Sequence, residues 1–475
     1  WLAQGQDESL LAQIAASCNR AKLPDIGDPT EIGLLQFGEM HKAQRLEIDD
    51  EEVPFTSESK YMQTRHGDQV FLKGAPEKIV ELAGGTHQKL LDADDAFATN
   101  GLRVLACAVK KGDTITIVGM IAMEDPPRET AKEAIAQAKT AGIRTIMITG
   151  DNLRTAASIA KQVGIEGKAI HGSDIDHMTM HQLAVVLEDA AVFARVSPVH
   201  KLRILEALQD AGEVVAMSGD GVNDAPALKG AHVGIAMGKV GTEVAREASS
   251  IVLADDHFAT IVSAIREGRR IYDNIKKFVL FLLRANFDEL LFIATTIILG
   301  MPLPYLPLHI LWINLMTDGL PALALGMEPA ERGIMKRPPR PQSEHILHGE
   351  WGRLLFSSVF AFAMAFLFYL WQLSSGVSLI EARSTTLTLA IIFELFLAFS
   401  VRSSEPIWRI GFFGNPWLLG AVAIPFFLQF VLLYTPLNIL FHVTPISFTQ
   451  WVEVFLLATG AFVVFEMMKL LPDRK

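Results

Sequence analysis

The feature that most constrains this chain is a change of hydropathy near residue 270. Charge is ordinarily dense up to there, and apolar blocks make up most of the remainder. A chain of 475 residues, 50% hydrophobic and so unevenly composed, is not one globular domain. It calls for a water-soluble part followed by long helices buried in lipid or in one another. Six candidate spans can be marked: Phe278–Leu299, Leu306–Met327, Leu354–Leu373, Thr385–Val401, Trp417–Tyr434 and Trp451–Met468. Most approach the roughly 20 residues that cross a bilayer, and Thr385–Val401 is short and the weakest by hydropathy.

The charges between spans set an expected orientation. Arg332, Lys336, Arg337, Arg340 and Arg353 lie between the second and third spans, and Arg402 and Arg409 between the fourth and fifth. Lys469, Arg474 and Lys475 follow the sixth, whereas the opposite connections hold only Arg383 and His442. Positive loops stay on the cytoplasmic side, so the amino-terminal half and the carboxyl terminus are both expected there. No cleavable signal peptide is read at the start. Trp312, Trp417 and Trp451 are expected to anchor span ends at the interface. Cys18 and Cys107 lack metal-ligand spacing and are expected to stay reduced, Cys107 as strand packing. The net charge of −11 reads as a solvated acidic surface and argues against nucleic acid as a partner.

The soluble half shows two patterns. Up to about Ala108, short helices mix with strands: Ser9–Lys22 reads as a helix, and Lys60–Thr64 with Gln69–Lys73 as a hairpin around His66-Gly67-Asp68. From about Thr114 to Glu267, strands alternate with helices. The strand Ile115–Met120, the helix Glu129–Ala141 and the strand Arg144–Ile148 lead to Thr149-Gly150-Asp151. The helix Leu153–Val163, the strand Ala190–Phe193 and the helix Lys201–Ala211 come next. This is the pattern of a doubly wound sheet with active residues at strand ends. A buried-strand pattern, Val214-Val215-Ala216, then runs into Met217-Ser218-Gly219-Asp220-Gly221-Val222-Asn223-Asp224-Ala225-Pro226. Two carboxylates and an amide on one tight glycine-rich turn make an oxygen cage suited to Mg²⁺.

That ten-residue string resembles the hinge motif of P-type ATPases, cation pumps whose soluble part is haloacid-dehalogenase-like. Four earlier strings resemble their nucleotide-binding domain: Gly27-Asp28-Pro29-Thr30-Glu31, Pro54-Phe55 with Ser59-Lys60-Tyr61-Met62, Lys73-Gly74-Ala75-Pro76-Glu77, and Leu102-Arg103-Val104-Leu105-Ala106. The resemblance implies that Phe55 stacks on adenine and Glu31 accepts from its exocyclic amine. It implies that Lys60 and Lys73 add positive charge and a pocket wall, and that Arg103 bridges phosphate oxygens as a bidentate donor. For phosphoryl transfer, Thr149 and the Gly150 amide would hold phosphate oxygens, and Lys201 would neutralise the transferred group. Asp220 would ligate Mg²⁺ directly, with Asn223 and Asp224 in support. Asp125, Asp151 and Arg195 are placed on the structural or nucleotide side of the same cleft. The family's Asp-Lys-Thr-Gly-Thr segment, whose aspartate is the nucleophile, does not occur. That segment, the first four membrane helices and the actuator domain are therefore expected outside this chain, which alone should form no aspartyl phosphate.

Polar groups inside spans are costly and tend to be functional. Asn286 and Glu289 share a helical face at i, i+3 in the first span. Asn314, Thr317 and Asp318 do so at i, i+3, i+4 in the second, where Gly319-Leu320-Pro321 is expected to unwind the helix and free carbonyls. Glu394 stands alone in the fourth. Converging oxygens are the hard-ligand chemistry of Ca²⁺. The strings Asn286-Phe287-Asp288-Glu289 and Trp312 through Pro321 resemble the fifth and sixth helices of endoplasmic-reticulum-type calcium pumps, and Glu394 matches the acid of their eighth. Sodium/potassium pumps would carry an aspartate at 314, so Asn314 favours calcium. Leu397 departs from that pattern, standing where those pumps have an asparagine ligand, and Arg284 and Asp288 add charges that pair or act as counter-ions.

The resemblance covers nearly all of residues 9–475. It implies an α/β haloacid-dehalogenase-like phosphorylation domain (109–270), an inserted α+β nucleotide-binding domain (1–108) and an all-α six-helix transmembrane bundle (271–475). It implies ATP and Mg²⁺ as cofactors, a transported cation (Ca²⁺ first), the bilayer and the missing amino-terminal half as partners, and the cell membrane as location. A Na⁺/K⁺ or H⁺ transporter, or an inactive nucleotide-binding membrane module, is the alternative.

Overall fold

A computed structural model describes residues 1–23, 28–56, 59–99, 102–124 and 127–470. The chain forms two compact units, Trp1–Lys139 with Ile143–Ile261, and Thr140–Gly142 with Val262–Lys475.

The first unit opens with an antiparallel meander in sequence order: β1 (Asp50–Val53), β2 (Tyr61–His66), β3 (Gln69–Gly74), β4 (Arg103–Lys111) and β5 (Thr114–Met123). Side chains alternate between its faces. Met62, Phe71, Cys107 and Val118 meet Leu11, Ile14 and Leu34 from the helices Glu8–Ser17 and Pro29–Met40. Leu72, Ala106 and Ile117 meet Ile79 and Leu90 from Pro76–Ala83 and Gln88–Thr99. The sheet runs to Met123, past the 108/109 boundary expected from sequence. Among the described residues neither cysteine forms a disulfide; both are buried, and burial pushes the Cys107 thiol up to about 12.

The rest of this unit alternates strands with helices, but its parallel strands form two three-stranded sheets. One has the order β6 (Met147–Ile148), β8 (Ala190–Ala194), β7 (Lys168–His171). The other has the order β9 (Ala216–Gly219), β10 (Val233–Met237), β11 (Ile251–Leu253). Two expectations change here. The strand expected over Arg144–Ile148 is only Met147–Ile148, and Val214, expected to be buried, is 59% exposed with its strand starting at Ala216. Both β6 and β9 are edge strands, so each lacks half of a hydrogen-bond ladder. Ile148 and Val215 nonetheless pack into the clusters of both sheets.

Among the described residues of the second unit, five helices are long and apolar enough to cross a membrane: Pro307–Leu325, Trp351–Ser374, Leu379–Val401, Pro416–Tyr434 and Phe448–Met468. The first expected span is carried by the 41-residue helix Phe258–Ile298, where Arg284, Asp288 and Glu289 interrupt the apolar run. The span expected to be weakest by hydropathy is the centre of the bundle, and it is more apolar than Pro307–Leu325, which is the least apolar of the five. Leu379–Val401 is 83% buried against 28–44% for the other four. Its hydroxyls are satisfied within the helix: Ser384, Thr385 and Thr388 donate to carbonyls one turn back, at 2.7–3.0 Å. Trp451, expected at the interface, is buried instead, stacked on Phe430 at 4.6 Å and donating to the Tyr434 hydroxyl at 2.9 Å.

Candidate functional site

The expected nucleotide-side residues gather because antiparallel strands alternate direction. Phe55 follows the end of β1, Lys60 precedes β2, Lys73 nears the end of β3, and Arg103 begins β4. The registers Val53↔Gln63, Tyr61↔Gly74 and Gly74↔Ala106 put all four on one rim of the sheet. Phe55 is 49% exposed there, free to offer its ring face. Lys73 is buried and reaches Glu31 Oε1 at 2.7 Å, while Glu31 Oε2 accepts from the Arg20 amide at 3.1 Å. These two candidates therefore meet as an ion pair, and Lys73 is less available to a ligand than a surface lysine. Lys60, at φ 58°, lies 3.6 Å from Glu77 Oε1. Asp28 caps the helix Pro29–Met40. Burial alone would raise its carboxyl, but Thr30 and then the Arg103 charge hold it below its ordinary value. Gly27 and Asp125 lie outside the described residues.

At the end of β6, Thr149 Oγ1 donates to Asp151 Oδ2 at 2.9 Å and accepts from the Asp151 amide at 3.1 Å. The turn is tied to the end of β8: the Thr149 amide donates to Phe193 O, Arg195 N to Asp151 O, and Val196 N to Thr149 O. Arg195 takes φ 53° to make that connection. Gly150 is exposed, with open space around it.

At the end of β9 the glycine-rich turn closes on Asp224, which is only 5% exposed. Its Oδ2 accepts from the Asp220 amide at 3.2 Å and the Gly221 amide at 3.1 Å, and its Oδ1 accepts from Lys201 Nζ. Burial would raise the Asp224 carboxyl. The Lys201 ammonium and the two amides outweigh it and hold the group below its ordinary value. A Cβ on Gly219 would sit 2.6 Å from Asp224 Cβ, so glycine is a steric requirement at that position. Lys201 reaches this pair from the helix Pro198–Asp210, which starts at a capping box of Ser197 and His200. Asp220 and Asn223 are exposed. The Asp220 carboxylate is thus the open ligand of the turn, and the residues fit Mg²⁺ through Asp220, with Asp224 committed to holding the turn. Among the described residues no three His, Cys, Asp or Glu side chains form a metal-binding group, so the remaining ligands of a bound ion would be phosphate and water oxygens.

One positioning residue is absent from the sequence expectations. Asp256, at φ 56°, accepts from the amides of Gly238, Lys239 and Val240 at 2.7–3.0 Å. The loop so held ends at Thr242, whose amide donates to Asp220 O at 2.8 Å. The adjacent acids Asp255-Asp256 just after a strand are the sequence signal for it.

In the second unit the helix Pro307–Leu325 stays wound. Its break is a π-helical turn over Asn314–Asp318, directly before Gly319-Leu320-Pro321, which continue as α-helix. Proline cannot donate to the preceding turn, and the wider i→i+5 turn absorbs the misfit. The α-helical face argument fails across it. Thr317 and Asp318 are buried, but Asn314 is exposed and donates to Ile310 O of its own helix at 3.0 Å. Thr317 Oγ1 donates to Glu394 Oε2, which ties the broken helix to the central one. Asn286 Nδ2 lies 3.4 Å from Asp318 Oδ2, which ties the long helix to the broken one. Glu289 Oε1 and Asp318 Oδ1 are fully buried and have no hydrogen-bond partner among the described residues. Among the described residues Arg284 forms no ion pair with Asp288, and it lines a separate cavity.

Known proteins resemble this chain in sequence. Residues 30–232 match the haloacid dehalogenase-like hydrolase family, and residues 302–471 match the family described as cation transporting ATPase, C-terminus. A probable cation-transporting ATPase F of Mycobacterium bovis is 40% identical across 94% of this chain and 54% of its own length. A calcium-transporting ATPase of Bacillus subtilis is 37% identical, covering 90% and 53% respectively. Calcium-transporting ATPase 1 of Saccharomyces cerevisiae is 35% identical, covering 96% and 54%. The chain spans about half the length of the curated relatives it matches.

Proposed function

We propose that this chain, which belongs to the P-type cation-transporting ATPases and matches their carboxyl-terminal part, carries the nucleotide, Mg²⁺ and cation ligands of an ATP-driven calcium pump. The observation that carries this reading is the pair of buried, unpartnered oxygens Glu289 Oε1 and Asp318 Oδ1. They stand where Asn286 with Asp318, and Thr317 with Glu394, join three helices. Burying carboxylate oxygens without donors is costly unless a cation or a proton neutralises them, and two such groups side by side suit a cation that exchanges with protons. An all-oxygen set favours a hard ion, Ca²⁺ before a soft metal. The relatives named as calcium transporters support the same choice. A sixth crossing by residues 278–298, with both large termini cytoplasmic and the cell membrane as host, completes the proposed topology.

The phosphoryl-transfer residues support an aspartyl-phosphate mechanism whose nucleophile lies outside this chain. β6 and β9 present unpaired parallel edges and share the packing of Ile148 and Val215. A strand from elsewhere in the protein would pair with both edges and bring a nucleophile between Thr149 and Asp220. Thr149 Oγ1 and the open Gly150 amide then orient phosphoryl oxygens. Lys201, held by Asp224, neutralises charge that develops on the transferred group. Mg²⁺, when bound at Asp220, would further screen the phosphate oxygens. On the rim of the nucleotide sheet, Phe55, Lys60 and Arg103 would hold adenine and phosphates, with the Glu31–Lys73 pair forming the wall between them.

The test is ATP-driven ⁴⁵Ca²⁺ uptake into inverted vesicles by the complete protein. Uptake that disappears with Glu289→Gln or Asp318→Asn supports the reading. Cation-dependent phosphorylation unchanged by Asp318→Asn overturns the assigned ligands. ATP hydrolysis without calcium uptake transfers the same site to Na⁺, K⁺ or H⁺.

A further inference from the structure

A second site lies at the end of the helical bundle where Trp351–Ser374 begins and Leu379–Val401 and Phe448–Met468 end. The cavity there measures about 310 Å³, within the range of small-ligand sites. Six cationic side chains line it against three carboxylates. Much of this charge is already paired: Lys276 with Glu350 at 3.0 Å, Arg337 with Asp273 at 2.9 Å and Glu331 at 2.6 Å, and Lys469 with Glu466 at 2.6 Å, while Arg353 is engaged as well. The pairing leaves donors over. Lys277 is 7% exposed, and its ammonium lies 3.0 Å from Glu331 Oε1 but off the direction of a hydrogen bond. Arg284 Nε and Ser400 Oγ are likewise fully buried without a hydrogen-bond partner among the described residues. All three groups line the same cavity.

Unfilled donors beside the buried Arg284 guanidinium in one cavity call for an anion, because a buried unmade hydrogen bond costs about 1–3 kcal/mol. Lys469, also in the lining, is half-buried. Burial first, and the Arg284 and Arg353 charges after it, hold its ammonium below the ordinary value against the pull of Glu466. Leu280 and Phe465 form an apolar part of the lining, so the space is amphipathic. Its place at the span ends is the level of lipid headgroups, where basic pockets between helices take anionic heads.

We propose that this cavity is a binding site for a phosphate-bearing anion, with Arg284, Lys277 and Ser400 as its donors. Two sources share that chemistry, an anionic phospholipid and a soluble phosphate. The apolar part of the lining favours the lipid.

The test is thermal unfolding of the detergent-purified protein titrated with phosphatidylglycerol, phosphatidylcholine or inorganic phosphate. Saturable stabilisation by phosphatidylglycerol, not matched by phosphatidylcholine, is expected. Arg284→Gln should weaken it at least tenfold, and Arg284→Lys should retain most of it. Stabilisation by inorganic phosphate that Arg284→Gln removes would support the site with a soluble occupant. Equal responses to both lipids with none to phosphate, or an unchanged response in Arg284→Gln, would overturn the proposal. Should Arg284→Gln fail to fold, native mass spectrometry of the unmodified protein decides: co-purified anionic phospholipid, or bound phosphate, supports the site, and neither retained overturns it.

Discussion

Asp224 in the soluble unit and Asp318 in the helical one are buried almost equally, at 5% and 4% exposure, yet the chain treats them oppositely. Every oxygen of Asp224 is filled from within: one by Lys201, the other by two amides of its own turn. Asp318 has one oxygen 3.4 Å from Asn286 and the other with no hydrogen-bond partner among the described residues. A filled carboxylate is part of the scaffold. An unfilled one is a place kept for something that arrives. The contrast is not one of water against membrane, because the helical unit also holds a filled example. Glu328, 4% exposed, accepts three guanidinium hydrogen bonds from Arg402 at 2.9–3.2 Å and one from Asn415 at 2.7 Å. Arg402 in turn donates to Gly411 O and Phe412 O.

This contrast breaks or stands on substitution. The largest effect is expected from Asp318→Asn, which should abolish cation-dependent phosphorylation of the complete protein while leaving its thermal stability level or raised. A clear loss of stability would show that this carboxylate is filled after all. Arg402→Ala should do the reverse, destabilising the protein by about 3–5 kcal/mol in a denaturant titration, since it leaves Glu328 buried without its counter-charge. Lys201→Ala should cut ATP turnover by about 10²–10³-fold and also lower stability, because the side chain that holds Asp224 is the one proposed to neutralise the phosphoryl group. Gly219→Ala should cost about 1–3 kcal/mol through the contact with Asp224, read by thermal unfolding. The smallest effect is in pH. The carboxyl of Asp224 is depressed in the folded state, so its contribution is present above the ordinary aspartate value of about 3.9 and is lost as pH falls through the folded value. The stability difference between the unmodified protein and Asp224→Asn should therefore stay flat from about pH 8 to 5 and shrink only below about 4.

Much of the soluble site is legible in the sequence because local sequence determines it. The turn at residues 219–224 closes on itself within a few residues, and its glycines and acids stand next to one another in the chain. The rim holding Phe55, Lys60, Lys73 and Arg103 is legible as a set of strings, though the Glu31–Lys73 pair across it is not. What the sequence hides depends on neighbours far along the chain. Val214 has the pattern of core, but its strand lies at an edge. Asn314 has the spacing of a ligand on the face of Thr317 and Asp318, and a π-turn sends it elsewhere. Arg402 reads as one more loop charge, and only the approach of Glu328 and Asn415 buries it. Thr385–Val401 reads as short and weak, yet the helix that carries it starts at Leu379, is more apolar than Pro307–Leu325 and is the most enclosed of the five, its hydroxyls satisfying carbonyls one turn back.

The meander of the nucleotide sheet has a practical corollary. If one rim carries Phe55, Lys60, Lys73 and Arg103, the turns at Gly67-Asp68 and Gly112-Asp113 must lie on the other, as the pairings His66↔Gln69, Val70↔Lys110 and Lys111↔Thr114 require. Those two hairpins are neighbouring attachment points for a fluorophore or an epitope. A label there would ride on the domain while standing a full strand length from any ligand at the working rim.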